Sequence, residues 1–224
     1  MSIVKKYKKL IGYTLFFVVC CIVFWILLFA GTDNWKTKLP TLSTVQPFSF
    51  TNQDGQPFTL RDMKGKVCVV NYFFTTCKGI CPKMNHNMDE IYNTFKDEKD
   101  FMIVSHTCMP EVDTVAQLKH YADSIGVDDR KWVFLTGRKD SLYYQARNSY
   151  LVDDNKNPVQ SIDDQFIHTQ FFALIDKDGN VRGEIFDGLQ QKDLDKLKAD
   201  IKILLKERPG GDNNFSNNIF GNNM

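Results

Sequence analysis

The chain lacks an excess of charge of either sign, with 28 basic residues against 27 acidic ones. It has no basic face of the kind that a nucleic-acid-binding protein needs, so we expect no nucleic-acid partner. Internal repeats are absent too, and 224 residues suit one domain of ordinary size with extensions. We therefore expect one globular domain, over residues 46–207.

Charged residues are absent from residues 10–30, a run dense in Phe, Val, Ile and Leu. As a helix this run is about 32 Å long, enough to cross the hydrocarbon core of a bilayer. Lysines in the basic tail at residues 1–9 predict that this end stays in the cytoplasm. The sequence thus predicts a single-pass anchor in the cell (inner) membrane, with the C-terminal domain on the periplasmic or extracytoplasmic side.

Two alternatives to an uncleaved anchor share its basic start and apolar middle. A cleavable signal peptide is one, although the apolar run is long for it. Lipoprotein processing at Cys20 or Cys21 is the other, but Val18 and Val19 are not the small residues expected before a lipidated cysteine. We assign residues 31–45 to a linker and the Asn- and Gly-rich residues 208–224 to a disordered tail.

Between linker and tail, apolar runs alternate with amphipathic ones. A β-hairpin is predicted around the turn at residues 52–55, and buried strands at 66–74, 101–105 and 132–135. Helices are predicted at 82–96, at 113–125 with Asp113 as N-cap, and from Ser141. A second hairpin, turning at Asp178-Gly179, and a helix at 191–206 complete the domain. This order predicts an α/β fold, a sheet with helices on its faces.

Cysteine is scarce, and two of the six cysteines fall within the apolar run. Cys77 and Cys81 stand where a buried strand gives way to a helix, since Pro82 suits a first helical turn. The partial positive charge of a helix N-terminus favours thiolate, and thiolates either exchange disulfides or bind soft metals. In an oxidising compartment a close pair forms a disulfide unless a reductant or a metal prevents it.

Ligands of open α/β sheets gather outside the carboxyl ends of the strands. The loop with Cys77 leaves such an end, and the next loop carries Cys108, close to His106. His168 precedes the penultimate strand. If that strand is antiparallel to the others, His168 falls at the same edge as the cysteines.

The residues around the cysteine pair resemble the Sco/SenC family over about residues 46–207. The resemblance rests on Phe73-Phe74-Thr75-Thr76-Cys77-Lys78-Gly79-Ile80-Cys81-Pro82, Pro110-Glu111-Val112-Asp113-Thr114, Leu118-Lys119-His120-Tyr121-Ala122, Trp132-Val133-Phe134-Leu135-Thr136-Gly137 and His168-Thr169 before Leu174-Ile175-Asp176-Lys177-Asp178-Gly179. It implies a thioredoxin-like fold, with a central mixed sheet flanked by helices, an N-terminal β-hairpin and one preceding transmembrane helix.

The resemblance also implies a function, that of a copper metallochaperone for the copper centre of cytochrome c oxidase. Cys77, Cys81 and His168 would be the copper ligands. The partners would be a copper-accepting oxidase subunit and a thiol reductant. Two thiolates and an imidazole suit Cu(I), and they accept Cu(II) with added oxygen ligands, but zinc would accept the same set.

The sequence departs from related patterns at several positions. Ordinary thioredoxins carry Cys-x-x-Cys and a cis-proline before the penultimate strand, where this chain has His168-Thr169-Gln170. Against the family pattern, Met109 replaces an aspartate before Pro110, and Ile167 replaces the aspartate that often precedes the histidine.

Two further functions stay open, and the sequence does not decide whether the protein is an enzyme. One is a thiol–disulfide oxidoreductase that reduces the cysteines of the oxidase subunit, with Cys77 or Cys81 as the redox-active, attacking thiol. The other is a copper or redox sensor.

Other candidate side chains are assigned mainly to packing. Cys68 is expected to fill the core of a strand, and Met84 and Met88 to pack in the core, with His86 pointing elsewhere. His106 is expected to be structural. Cys108 is either a further packed thiol or an extra ligand or resolving thiol.

Overall fold

The computed structural model describes residues 2–29, 38–77, 79, 81–153 and 170–210. Of residues 2–6, 27–29 and 81 it describes the backbone only. The chain forms two compact units, Met1–Lys38 and Leu39–Met224.

The described residues of the first unit form a long helix, α1 (Ser2–Phe29), followed by Lys38. Within it, Tyr7–Ile26 covers 20 residues with a mean hydropathy of 2.2. By length and composition this segment is a candidate membrane span, at the place where the sequence predicts the anchor.

The second unit is a mixed sheet of eight strands with five helices among the described residues. The strands are β1 (Thr41–Thr44), β2 (Ser49–Asn52), β3 (Pro57–Thr59), β4 (Val67–Phe73), β5 (Phe101–Thr107), β6 (Trp132–Thr136), β7 (Phe171–Ile175) and β8 (Asn180–Asp187). The helices are α2 (Leu60–Met63), α3 (Cys81–Phe95), α4 (Val115–Ile125), α5 (Lys139–Asn148) and α6 (Gln191–Lys206).

The strands lie in the order β1-β8-β7-β4-β5-β6-β2-β3. The three central strands β4, β5 and β6 are parallel, and α3 and α4 connect them. Strand β7 pairs antiparallel with β4 and forms a hairpin with β8. The predicted N-terminal hairpin is the antiparallel pair β2–β3, which joins β6 at the other side of the sheet. The predicted mixed α/β architecture is thereby confirmed.

Side chains of the central strands alternate between two hydrophobic cores, one on each face of the sheet. Val67 and Val69 pack with residues of α3, α4 and α6, whereas Cys68 and Val70 pack with residues of α2 and α5. Because β4 is buried on both faces, its sequence is almost continuously apolar.

The structure differs from the sequence predictions at four places. Strand β1 lies in the range assigned to the linker and pairs with β8, so the compact unit begins at Leu39. A one-turn helix, α2, follows the first hairpin, capped by Thr59. Helix α5 begins at Lys139, two residues before the predicted start. The N-cap of α4 is Thr114 and not Asp113, since the Thr114 side chain accepts a hydrogen bond from the Gln117 N–H. Of the tail, residues 211–224 lie outside the described range.

Candidate metal centre

The loop that carries Cys77 begins where β4 ends. The Cys77 N–H donates to the Phe74 carbonyl at 3.3 Å and closes a turn. Cys77 itself is half-buried and carries a free thiol. Helix α3 begins at Cys81 with Pro82 in its first turn, so the predicted strand-to-helix transition is confirmed. The side chain of Cys81 lies outside the described residues.

The pairing of the strands defines which chain segments meet at this edge of the sheet. Phe73, the last residue of β4, pairs with Thr107, the last residue of β5. On the other side, Val70 pairs with Ala173 of the antiparallel β7, so the start of β7 lies beside the end of β4. Strand β7 is therefore antiparallel to β4, which is the condition under which the sequence places His168 at the same edge as the cysteines. His168 itself, two residues before Gln170, lies outside the described residues.

Cys108 follows β5 and is buried, with 2% of its surface exposed. Its thiol donates to the Phe73 carbonyl at 3.1 Å, and its carbonyl accepts a hydrogen bond from the Tyr143 hydroxyl at 3.2 Å. These contacts, together with its place in one hydrophobic core, account for Cys108 as a packed side chain.

His106 also lies in the interior, one strand away from the Cys77 loop. Its ring stacks on Tyr72 with a centroid distance of 5.0 Å, and Phe50 meets it edge-on. Burial lowers the pKa of His106 to about 3, so its imidazole is neutral at physiological pH.

The other sulfur side chains follow their predicted packing roles. Cys68 is fully buried, and burial raises the pKa of its thiol to about 12, which makes it unreactive. Met84 and Met88 are fully buried in the core between α3 and the sheet. His86, between them in sequence, is exposed.

Among the side chains that the structure describes, no group of three His, Cys, Asp or Glu residues could hold a metal ion. Cys77 is the one predicted ligand whose side chain is described. A half-buried thiol at this edge is available to a soft metal or to a disulfide. Whether Cys81 and His168 join it remains a prediction of the sequence.

Asp113, which the sequence predicts as a helix N-cap, also reaches this edge of the sheet. The carboxylate of Asp113 is buried and accepts hydrogen bonds from Thr75 and Thr107. Its signal in the sequence was the neighbouring Thr114, which offers a second candidate N-cap and leaves Asp113 available for another contact.

The mixed sheet flanked by helices, with a cysteine loop at the carboxyl end of a central strand, defines a thioredoxin-like protein. The family model described as SCO1/SenC matches residues 36–206. The chain belongs to the SCO1/SenC family, as the sequence resemblance predicts.

Known proteins of this family resemble the chain over most of its length. The SCO1 protein homolog of Bacillus subtilis is 33% identical over 168 residues, which cover 75% of this chain and 86% of that protein. The structure of BsSco matches with a TM-score of 0.64 at 31% identity, covering 77% of this chain and 100% of BsSco. BsSco is a member of the Sco family of cytochrome c oxidase assembly proteins, and a disulfide switch was identified in it. ScoI of Bradyrhizobium japonicum, solved with copper bound, matches with a TM-score of 0.56 at 25% identity, covering 72% of this chain and 99% of ScoI.

Proposed function

We propose that this protein binds copper through Cys77, Cys81 and His168 and delivers it to the copper centre of cytochrome c oxidase. The observation that carries the proposal is the antiparallel pairing of β7 with β4. It brings the start of β7, close in sequence to His168, to the edge from which the Cys77 loop leaves. The copper-bound ScoI structure and the assembly role of the Sco family support the same function.

The donor set suits the cargo. Soft thiolates with one imidazole favour Cu(I), and an exposed edge allows a partner's ligands to replace them one at a time. A disulfide between Cys77 and Cys81 would remove both sulfur ligands. Copper loading therefore requires a thiol reductant that supplies two electrons and two protons to the oxidised pair.

The proposed address is a membrane with the second unit on its extracytoplasmic side. Helix α1 contains an apolar segment of 20 residues, and Lys5, Lys6, Lys8 and Lys9 lie at its N-terminal end. By the positive-inside rule those lysines stay in the cytoplasm. The copper-accepting oxidase subunit is then reached on the far side.

The test is a titration of the reduced full chain, in detergent micelles, with Cu(I) against a competing chelator. We expect one Cu(I) per chain. Residues that only hydrogen-bond to a metal ligand typically change metal affinity by about 10- to 100-fold. Removing a ligand itself should cost at least as much, so we expect an affinity lower by about 100-fold or more in each of three variants, Cys77→Ser, Cys81→Ser and His168→Ala.

Two matched variants serve as controls for this titration. His86→Ala removes an exposed histidine of α3 and should leave the affinity unchanged. Cys108→Ala removes a thiol that is packed in the core, and it should also retain Cu(I) binding. Unchanged affinity in His168→Ala would reject the three-ligand site, and loss of affinity in Cys108→Ala would make Cys108 a ligand.

A second candidate function is thiol–disulfide exchange, which the half-buried free thiol of Cys77 also supports. Cys77 or Cys81 would attack a disulfide of the oxidase subunit, and the other cysteine would then release the reduced subunit as the pair becomes a disulfide. Rapid reduction of a disulfide-bonded peptide by the metal-free chain, retained in His168→Ala, would favour this function over copper delivery.

A further inference from the structure

A carboxylate is buried between the two loops that leave the carboxyl ends of β4 and β5. Asp113 is 0% exposed. It stands between β5 and α4, where an N-cap would be expected, but Thr114 provides the cap. The Asp113 carboxylate is thus available for contacts away from its own helix.

Both oxygens of the Asp113 carboxylate accept hydrogen bonds, from Thr75 in the first of these loops and from Thr107 at the end of β5. The Thr75 hydroxyl donates to Oδ1 at 2.5 Å, and the Thr107 hydroxyl donates to Oδ2 at 2.5 Å. The Thr75 N–H lies 3.2 Å from Oδ1 and 3.3 Å from Oδ2. Hydrogen bonds to a carboxylate are stronger than those between neutral groups, and burial strengthens them further.

The contacts of Asp113 reach the turn that presents Cys77. The hydrogen bond from the Cys77 N–H to the Phe74 carbonyl closes a turn, and Thr75 is the second residue of that turn. Gln117 of α4 adds a weaker contact, with its side-chain amide donating to the Thr75 hydroxyl at 3.3 Å. Thr75 is therefore held at its backbone and at its side chain, two residues before Cys77.

We propose that Asp113 is a positioning residue that holds the Cys77 loop in its binding geometry by tying Thr75 to the end of β5. The inference rests on the proposed function, in which Cys77 is a copper ligand or an exchanging thiol. Asp113 makes no contact with the metal in this role. It fixes how far the Cys77 thiol is exposed and where it points, and through that the affinity of the site for Cu(I).

The test compares Thr75→Val and Thr75→Ser with the parent in the full chain in detergent micelles. Valine keeps the shape of threonine but lacks the hydroxyl, whereas serine keeps the hydroxyl. The readout is the rate at which iodoacetamide alkylates Cys77 in the reduced, metal-free protein, measured on the Cys77 peptide by mass spectrometry. Loss of a charge-assisted hydrogen bond should free the loop and raise this rate about tenfold in Thr75→Val. Thr75→Ser should stay within about twofold of the parent.

A second pair of variants separates positioning from general destabilisation. Asp113→Asn keeps the volume of the side chain but removes its charge and should also raise the alkylation rate. Asp176→Asn is the matched control, since Asp176 is a buried carboxylate that pairs with Arg182. It should lower the melting temperature without raising the rate at Cys77. If Asp113→Asn fails to fold, the Thr75 pair still decides.

The proposal fails if Thr75→Val alkylates at the parent rate, or if Asp176→Asn raises the rate as much as Asp113→Asn does. Because alkylation is measured without copper, failure of this test and failure of the proposed function give different results. Failure of Cu(I) binding in the parent chain would refute copper delivery and leave the positioning of Cys77 by Asp113 standing.

Discussion

At the scale of single residues, His106 shows how an imidazole can serve packing alone. Four aromatic rings surround it, those of Phe48, Phe50, Tyr72 and Tyr150. Neither ring nitrogen has a hydrogen-bond partner among the described residues. A charged imidazole would be strongly disfavoured there, which is why burial lowers the pKa of His106 to about 3. The neutral ring is therefore part of the aromatic core.

This burial predicts an acid-sensitive fold. Between about pH 6.5 and pH 3 the unfolded chain binds a proton at His106 and the folded chain does not, so acid favours unfolding. The free energy of unfolding should fall with decreasing pH, by up to about 1.4 kcal/mol per pH unit from this group. His106→Phe should lose that share of the pH dependence. Urea unfolding of the full chain at several pH values, followed by tryptophan fluorescence, measures it.

The control for this experiment is His120→Gln, which replaces an exposed histidine of α4. It should show the pH dependence of the parent. A parent-like pH dependence in His106→Phe would mean that His106 is not the group whose protonation drives acid unfolding, and that carboxylates account for it instead.

At the scale of elements, the end of β8 lies in close contact with the start of β7. Gly188 follows β8, and its N–H donates to the Gln170 carbonyl at 2.8 Å. A Cβ atom at Gly188 would lie 2.5 Å from the Phe172 ring and 2.7 Å from the Gln170 carbonyl oxygen. Only glycine allows this approach, because both contacts are far shorter than van der Waals distance.

Gly188→Ala should therefore displace the start of β7, the strand that follows His168 in sequence. We expect a loss of about 1–3 kcal/mol in the free energy of unfolding, as for other overpacked sites. We also expect a lower affinity for Cu(I), because the start of β7 lies beside the end of β4. Urea unfolding and the Cu(I) competition titration measure the two effects.

Gly126→Ala is the control for this effect. Gly126 ends α4 with a φ of 68°, so alanine there is strained, but its Cβ would meet open space. It should lower stability and keep the Cu(I) affinity of the parent. Equal Cu(I) affinities in Gly188→Ala and the parent would argue that the position of β7 does not influence the site.

The elements that local pattern could predict are those with long, regular hydrophobic runs. Strands β4 to β6 and helices α3, α4 and α6 lie close to their predicted positions, and β7 and β8 flank the turn predicted at Asp178-Gly179. Strand β1 was missed because its four residues have no apolar periodicity and pair with β8, more than 130 residues away. Helix α2 has only four residues, too few for a helical period to emerge.

The candidate site was predictable to a different extent. The position of Cys77 and the first turn of α3 followed from the sequence, since strand, cysteines and Pro82 are adjacent. The hydrogen bonds from Thr75 to Asp113 could not be predicted from the sequence, because the two residues are 38 positions apart. Only the parallel pairing of β4 with β5 brings their loops together. Local propensity favoured Asp113 as an N-cap, and tertiary contacts overrode it.

At the scale of the whole molecule, metal binding and folding of the second unit should be linked. A ligand that binds the folded state stabilises it by about 4 kcal/mol when its free concentration is 1,000 times its dissociation constant. For a domain of this size each kcal/mol raises the melting temperature by about 2–4 °C. Cu(I) buffered at that excess should thus raise the melting temperature of the reduced full chain by roughly 10 °C.

The redox state of the cysteine pair provides the internal control for this linkage. Oxidation to a Cys77–Cys81 disulfide removes two of the three proposed ligands, so Cu(I) should leave the melting temperature of the oxidised chain unchanged. Zn²⁺ also accepts two thiolates and an imidazole, and comparing the two metals at matched free concentrations tells whether the site prefers the softer ion. An equal Cu(I)-induced shift in the reduced and oxidised chains would place the stabilising copper away from Cys77 and Cys81. A shift confined to the reduced chain would mean that copper stabilises the second unit through Cys77 and Cys81, the two proposed ligands that oxidation removes.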